Sequence, residues 1–144
     1  MPEPDVVPMN ALSLSAAQRV TDAALAVARS ENVAVCITVC DPTGEPIVTV
    51  RMDGAPRLSA GVATNKAYSV ASFKGMPTSH WWQAIADEPS LVHGLTHTPR
   101  LIVFAGGVPV RINGELVGAI GVSGGSAAQD QEIAETAAAS LGTS

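Results

Sequence analysis

The chain has 144 residues, 47% hydrophobic, 3% aromatic and 15% charged, with a formal net charge of −5 and an isoelectric point near 5.0. That length buries one core, built from Ala, Val, Ile and Leu, and the acidic balance leaves no basic footprint for nucleic acid or anionic lipid. No apolar run reaches the roughly 18 residues of a membrane span, and MPEPDVVPMN lacks the basic start and apolar stretch of a secretory signal, so the cytoplasm is the expected compartment. Small molecules and further copies of the chain are the expected partners.

Residues 1–11 carry three prolines and no periodicity, which reads as a flexible N-terminal arm before a single domain over 12–144. Ser15 with Gln18 forms a capping box, and Val20, Ala23, Ala24, Val27 and Ala28 recur at helical spacing, so a first helix is expected to end near 30–32. Val33 to Cys40 is a nearly continuous β-branched run, and the turn Asp41-Pro42-Thr43-Gly44 joins it to a second strand over Ile47 to Met52. Cys36 and Cys40 share that first strand, which sets their Cα atoms about 13 Å apart, beyond the roughly 7 Å limit of a disulfide. They read as buried free thiols.

Ser59 opens an Ala-rich second helix running to about Phe73, with Lys66 at or beside its inward stripe. There the lysine either faces the interior or snorkels to solvent. Gly75-Met76-Pro77 ends this helix, and Thr78 to Ala86 reads as a short helix capped by Thr78 or Ser79. Asp87 to Arg100 holds two prolines, a glycine and two histidines in 14 residues and reads as a loop. Leu101 to Ala105 is expected as a short buried strand. It leads into a hairpin of Val108 to Ile112 and Leu116 to Val122, turned at Asn113-Gly114, a dipeptide suited to the positive φ angles of a type I′ turn. Ser123-Gly124-Gly125-Ser126 then feeds a final helix, with Ser126 and Gln129 as its capping box and Ile133, Ala137 and Leu141 at spacing four. Strands joined by tight turns make an α+β fold with a largely antiparallel sheet and helices packed on it.

Four stretches of this chain, Val50-Arg51-Met52-Asp53-Gly54-Ala55, Ser59 to Ala67 ending Asn65-Lys66-Ala67, Leu101 to Gly107, and Gly114 to Asp130, resemble the GlcG/HbpS family. This is the haem-binding or "haem-degrading" domain that also forms the C-terminal part of PduO proteins, and the resemblance spans roughly Leu12 to Leu141. It implies an antiparallel five-stranded sheet with helices on its faces, related to profilin-like α/β sandwiches, and assembly as dimers or octamers. It also implies ties to haem binding and redox sensing, to corrinoid-related metabolism and to glycolate-utilisation operons. Where haem is bound in such proteins, a ligand on the first helix or in the middle of the chain is implicated. The first helix here contains no histidine.

His80, His93 and His97 are the only histidines; a neutral imidazole from any of them can ligate haem iron or act as an acid or base, with His80 and His97 ahead of His93. Trp81 and Trp82 diverge by about 100° on a helix, so at most one faces the core and the other calls for a ligand or a neighbouring subunit. Lys66, Arg51, Asp53 and Arg57 gather around the end of the first hairpin and the start of the second helix. They are read either as a base and anion-holding set or as an ion network. Glu132 and Glu135 make an E-x-x-E pair whose two carboxylates are a poor metal site. The corner Ser123-Gly124-Gly125, at a helix N-terminus, offers backbone N–H groups to a carboxylate or haem propionate. No dinucleotide fingerprint, phosphate loop, nucleophile elbow or zinc helix occurs.

Three readings follow. The first is a small-ligand-binding domain that takes haem or a related tetrapyrrole in a pocket between the second helix, the His80 to Arg100 segment and the glycine corner. The second is a cofactor-independent lyase, isomerase or proton-transfer enzyme acting on a small carboxylate-bearing metabolite in the same pocket, with Lys66 or a histidine as base. The third is a non-catalytic accessory subunit.

Overall fold

The computed structural model describes residues 2–141. In chain order the elements are α1 (Leu14–Ser30), β1 (Cys36–Cys40), β2 (Pro46–Arg51), α2 (Leu58–Ser72), a 3-10 turn (Thr78–His80) running into α3 (Trp81–Ile85), α4 (Pro89–Leu95), β3 (Gly107–Ile112), β4 (Glu115–Ser123) and α5 (Ala127–Ala139). The strands form one antiparallel sheet in the order β2-β1-β4-β3. Asn113 and Gly114 turn the β3–β4 hairpin with φ of 51° and 80°, the left-handed pair that a type I′ turn demands.

The two faces of the sheet differ in chemistry. Along β1 the side chains alternate, so Ile37 and Val39 point one way and Cys36, Thr38 and Cys40 the other. The Ile37 face carries Val108, Val110, Ile120 and Val122 as well, and packs on Val20 and Ala24 of α1 and Ile133 and Ala137 of α5. Each such buried Val or Ile contributes about 1.5–3 kcal/mol, so most of the hydrophobic stabilisation lies on this side.

The opposite face is small and polar, and α2 lies against it. A Cβ on Gly121 would collide with the carbonyl of Ala63, and one on Gly107 would come 2.8 Å from the Lys66 carbonyl; bare glycine backbone lets the helix sit that close. Cys40, Ala67, Val70, Ala71 and Ala119 form the small apolar cluster there. Hydrophobic area is scarce, and polar contacts add to it: Thr38 Oγ1 lies 2.9 Å from Thr64 Oγ1.

Several expectations are corrected. The sheet has four strands rather than five, because 101–105 makes no ladder: the N–H of Ile102 donates to the Ser69 hydroxyl at 2.9 Å. The cap of α1 is Ser13, whose hydroxyl accepts from Ala16 N at 3.0 Å, while the Ser15 hydroxyl accepts from the Arg19 guanidinium instead. Neither Thr78 nor Ser79 caps a helix; the Thr78 hydroxyl is turned inward and accepts from Gly107 N at 2.9 Å. The 87–100 segment is not all loop, since Pro89 starts α4 at a position where its missing N–H costs nothing. Both cysteines are buried and free, as the strand spacing required.

Residues 2–11 are exposed and without helix or strand. Leu12 is the first residue to dock, burying its side chain and donating its N–H to Val117 O at 2.9 Å. Of the expected arm and domain, Met1 and residues 142–144 lie outside the described residues.

Candidate functional site

Lys66 lies on the buried side of α2, with 1% of its surface exposed. Its amine donates to Val122 O at 2.7 Å and to Asp130 Oδ2 at 3.2 Å, and sits 5.2 Å from the centre of the Phe104 ring. Asp130 is in the first turn of α5, whose N-terminus is closed by the reciprocal Ser126–Gln129 box. Its other oxygen accepts from Gly125 N at 2.9 Å. Burial pulls the Lys66 pKa below its ordinary value, and the charge of Asp130 opposes the shift.

This geometry joins Lys66 to the glycine corner through Asp130 and closes the corner to an outside anion. The N–H of Gly125 is taken by Asp130 and that of Ser126 by Gln129 Oε1; Ser123 is buried and Gly124 only half exposed. The cradle offered to a ligand carboxylate is filled by the chain's own.

Arg51 ends β2 directly opposite Cys36 on β1, which in turn faces Ser123 on β4. With Asp53 and Arg57 it rims an open depression of about 500 Å³. These three do not form the ion network considered above: no ion pair joins them among the described residues, and Lys66 pairs with Asp130 instead. Arg51 also faces a second cleft, of about 480 Å³, between α2 and the β1–β2 ladder, shared with Thr38, Thr49, Thr64 and Arg100.

The histidines are scattered. His80 is exposed at the end of the 3-10 turn and lines a cleft of about 370 Å³ with Val108, Pro109, Arg111, Gln131 and Glu135. His93 sits on α4 and His97 two residues past its end, both exposed on a segment with no buried helix residue. No group of three or more His, Cys, Asp or Glu placed to hold a metal ion occurs among the described residues.

The tryptophans divide as their spacing predicts. Trp81 is buried, 4.9 Å from the Phe73 ring in a tilted contact, and its indole Nε1 has no hydrogen-bond partner. Trp82 is 57% exposed.

A family model described as "Haem degrading protein HbpS-like" matches residues 12–139. The chain belongs to the GlcG/HbpS family. It is 38% identical over 128 residues to an uncharacterized 15.0 kDa protein in the dhaT-dhaS intergenic region of Citrobacter freundii, covering 88% of this chain and 89% of that one. Among solved structures it is similar to Klebsiella pneumoniae protein ORFY, at 34% identity and a TM-score of 0.88 over 96% of this chain and 95% of the other. It is also similar to a PduOC:Heme complex, at 32% identity and a TM-score of 0.82 over 90% of this chain and 94% of the other.

Two residues of this GlcG/HbpS-family chain carry roles that the sequence reading did not assign. Asp130 stands in its last signature stretch, and its place in the first turn of a capped helix was the available signal for a buried acceptor. Arg100 gave no such signal. It reaches the site only because the chain returns over α2, where its Nε donates to Asn65 Oδ1 at 3.0 Å and its guanidinium lies 3.8 Å from the centre of the Tyr68 ring.

Proposed function

We propose that this chain is a small-ligand-binding domain whose ligand is haem or a related tetrapyrrole, held in the His80 cleft. The observation that carries the reading is the likeness in sequence and fold to the PduOC:Heme complex. The cleft supports it in its chemistry. At about 370 Å³ it falls in the range of small-molecule sites, Val108, Pro109, Ala138 and Ala139 give it apolar walls, and His80 is the one histidine of the three that lines it.

Bound haem would supply redox-active iron. His80 would ligate the iron through an imidazole nitrogen, and Arg111 would hold a propionate. Arg111 also donates to the carbonyls of Lys74 and Gly114, at 3.3 and 3.4 Å, which orients its guanidinium. Glu135 in the same cleft accepts from Gln131 Nε2 at 2.6 Å. We infer further a homo-oligomer in which a neighbouring copy covers exposed Trp82; no helix among the described residues is long and apolar enough to cross a membrane.

Titration of the purified protein with hemin tests the reading through the Soret band. A saturable shift is expected in the wild type, in His93→Ala and in His97→Ala, and its loss in His80→Ala. A wild type that ignores hemin overturns haem binding, and an unaffected His80→Ala overturns the ligand.

A further inference from the structure

The cleft between α2 and the β1–β2 ladder lies on the opposite side of the sheet from the Val/Ile core. It arises from the alternation in β1: Cys36 and Thr38 point to this side, Arg51 and Thr49 stand directly across the ladder from them, and α2 passes over β4 without covering that corner. The open cleft has a volume of about 480 Å³.

Two cations face it from different elements. Arg51 comes from the end of β2 and has no hydrogen-bond or ion-pair partner among the described residues. Arg100 comes from the loop before β3. Its Nε is tied to Asn65 and its plane rests over Tyr68, which leaves its two terminal amino groups without a hydrogen-bond partner among the described residues. The backbone of Arg100 is in the left-handed region, φ 67°, a conformation that costs energy for a long side chain and persists where surrounding contacts impose it. The Ser69 hydroxyl, 2.7 Å from Asn65 O and 3.1 Å from the Arg100 carbonyl, also accepts from Ile102 N at 2.9 Å and so anchors the chain on both sides of the Arg100–Leu101 link.

No carboxylate lines the cleft, although the chain is acidic. The Thr49 hydroxyl adds a further donor, and Cys36 and Ala60 supply apolar wall. Guanidinium forks match carboxylate geometry, and two of them over an apolar floor call for an organic body with acidic ends. At its mouth Gly61 of α2 has open space where a side chain would stand.

We propose that this cleft is a second binding site, for a small organic acid whose carboxylates are held by Arg51 and Arg100. It is independent of the haem reading, sharing no residue with the His80 cleft.

Calorimetric titration of the full chain with succinate, with inorganic phosphate and with uncharged succinamide tests the site. Saturable succinate binding is expected, at least tenfold weaker binding of phosphate, and none of succinamide. Arg51→Gln and Arg100→Gln should each weaken succinate at least tenfold, and His80→Ala should leave it unchanged. Gly61→Leu fills the mouth and replaces a helix glycine by a better helix former, so it should abolish succinate binding without lowering the melting temperature. The proposal is overturned by the absence of saturable succinate binding, by phosphate binding as tightly, by indifference to either arginine substitution, or by loss in His80→Ala.

Discussion

Lys66 Nζ and Asp130 Oδ2 lie 3.2 Å apart with both side chains sealed from solvent, tying α2 to the first turn of α5. Removing one member of such a pair strands the other charge, which costs about 3–5 kcal/mol, whereas replacing both by apolar groups is often neutral. Asp130→Ala should therefore destabilise the fold by about that amount in urea unfolding, and Lys66→Met/Asp130→Ala by less than Asp130→Ala alone. A loss in the double variant equal to the sum of those in Lys66→Met and Asp130→Ala would mean that the pair does not couple.

The same lysine sets an alkaline signature. Burial holds its folded pKa below 10.5 despite Asp130, so between the folded value and 10.5 the unfolded chain binds more proton. Stability from this group then rises with pH through that window, because deprotonation relieves the buried charge. Because Lys66→Met leaves Asp130 stranded and is the less stable protein at neutral pH, the gap between wild type and Lys66→Met should widen there as pH rises. Parallel curves would show that Lys66 titrates as in the unfolded chain.

Asp41 sets the acid limb at the β1–β2 turn. Desolvation pushes its pKa up, but donation from the Thr43 hydroxyl and from the backbone N–H groups of Thr43, Glu45 and Gly44 outweighs it, and the net value falls below 3.8. Its Oδ1 accepts from Thr43 N at 2.8 Å and Thr43 Oγ1 at 2.6 Å. The stabilisation is fully present above 3.8 and is lost as pH falls through the folded value. Asp41→Asn should cost about 1 kcal/mol at neutral pH, and the difference from wild type should shrink in acid. A gap independent of pH would contradict this.

Neither cysteine should react in the native state. Burial pushes the Cys40 thiol up to about 12, and it raises Cys36 also, against the pull of Arg51; the thiolate is the reactive form. A colorimetric thiol reagent at neutral pH should count none in the folded protein and two in guanidinium. Fast labelling of the native protein would show that the small-residue face opens.

Two glycines of opposite character separate packing from propensity. Gly121→Ala drives a methyl into the Ala63 carbonyl and to 2.7 Å from Ala67 N; backbone cannot swing aside, so α2 must shift, at about 1–3 kcal/mol or more. Gly61→Ala meets nothing and should stabilise the protein by about 0.5–1 kcal/mol. Thermal melts of both variants read the contrast directly.

Much of the fold was legible in local pattern. Asn113-Gly114 and the Ser126–Gln129 box depend on a few neighbouring residues, and both stand as their chemistry demands. The first cap was misplaced by two residues because Ser13 and Ser15 offer the same chemistry, and the rotational phase of the apolar stripe chooses between them. The 101–105 run was apolar enough for a strand, but the N–H of Leu101 donates to the Thr98 carbonyl and that of Ile102 to the Ser69 hydroxyl rather than to a ladder. Within the site, helix periodicity put Lys66 at or beside the inward stripe but left burial and snorkelling open, and of the three histidines in one stretch of sequence only His80 comes to line the cleft beside β3.

By itself the sequence determined the family, the antiparallel α+β character, the hairpin turn, the capped last helix and the separation of the two cysteines, since each rests on residue types at short spacing. Only the tertiary structure decided what the glycine corner holds. Asp130 folds back from α5 to fill it, and Lys66 arrives from 64 positions away to neutralise that carboxylate. Long-range packing likewise set Arg100 across from Arg51, because the meeting of a loop and a strand end is governed by how α2 lies on the sheet, and no local pattern encodes that.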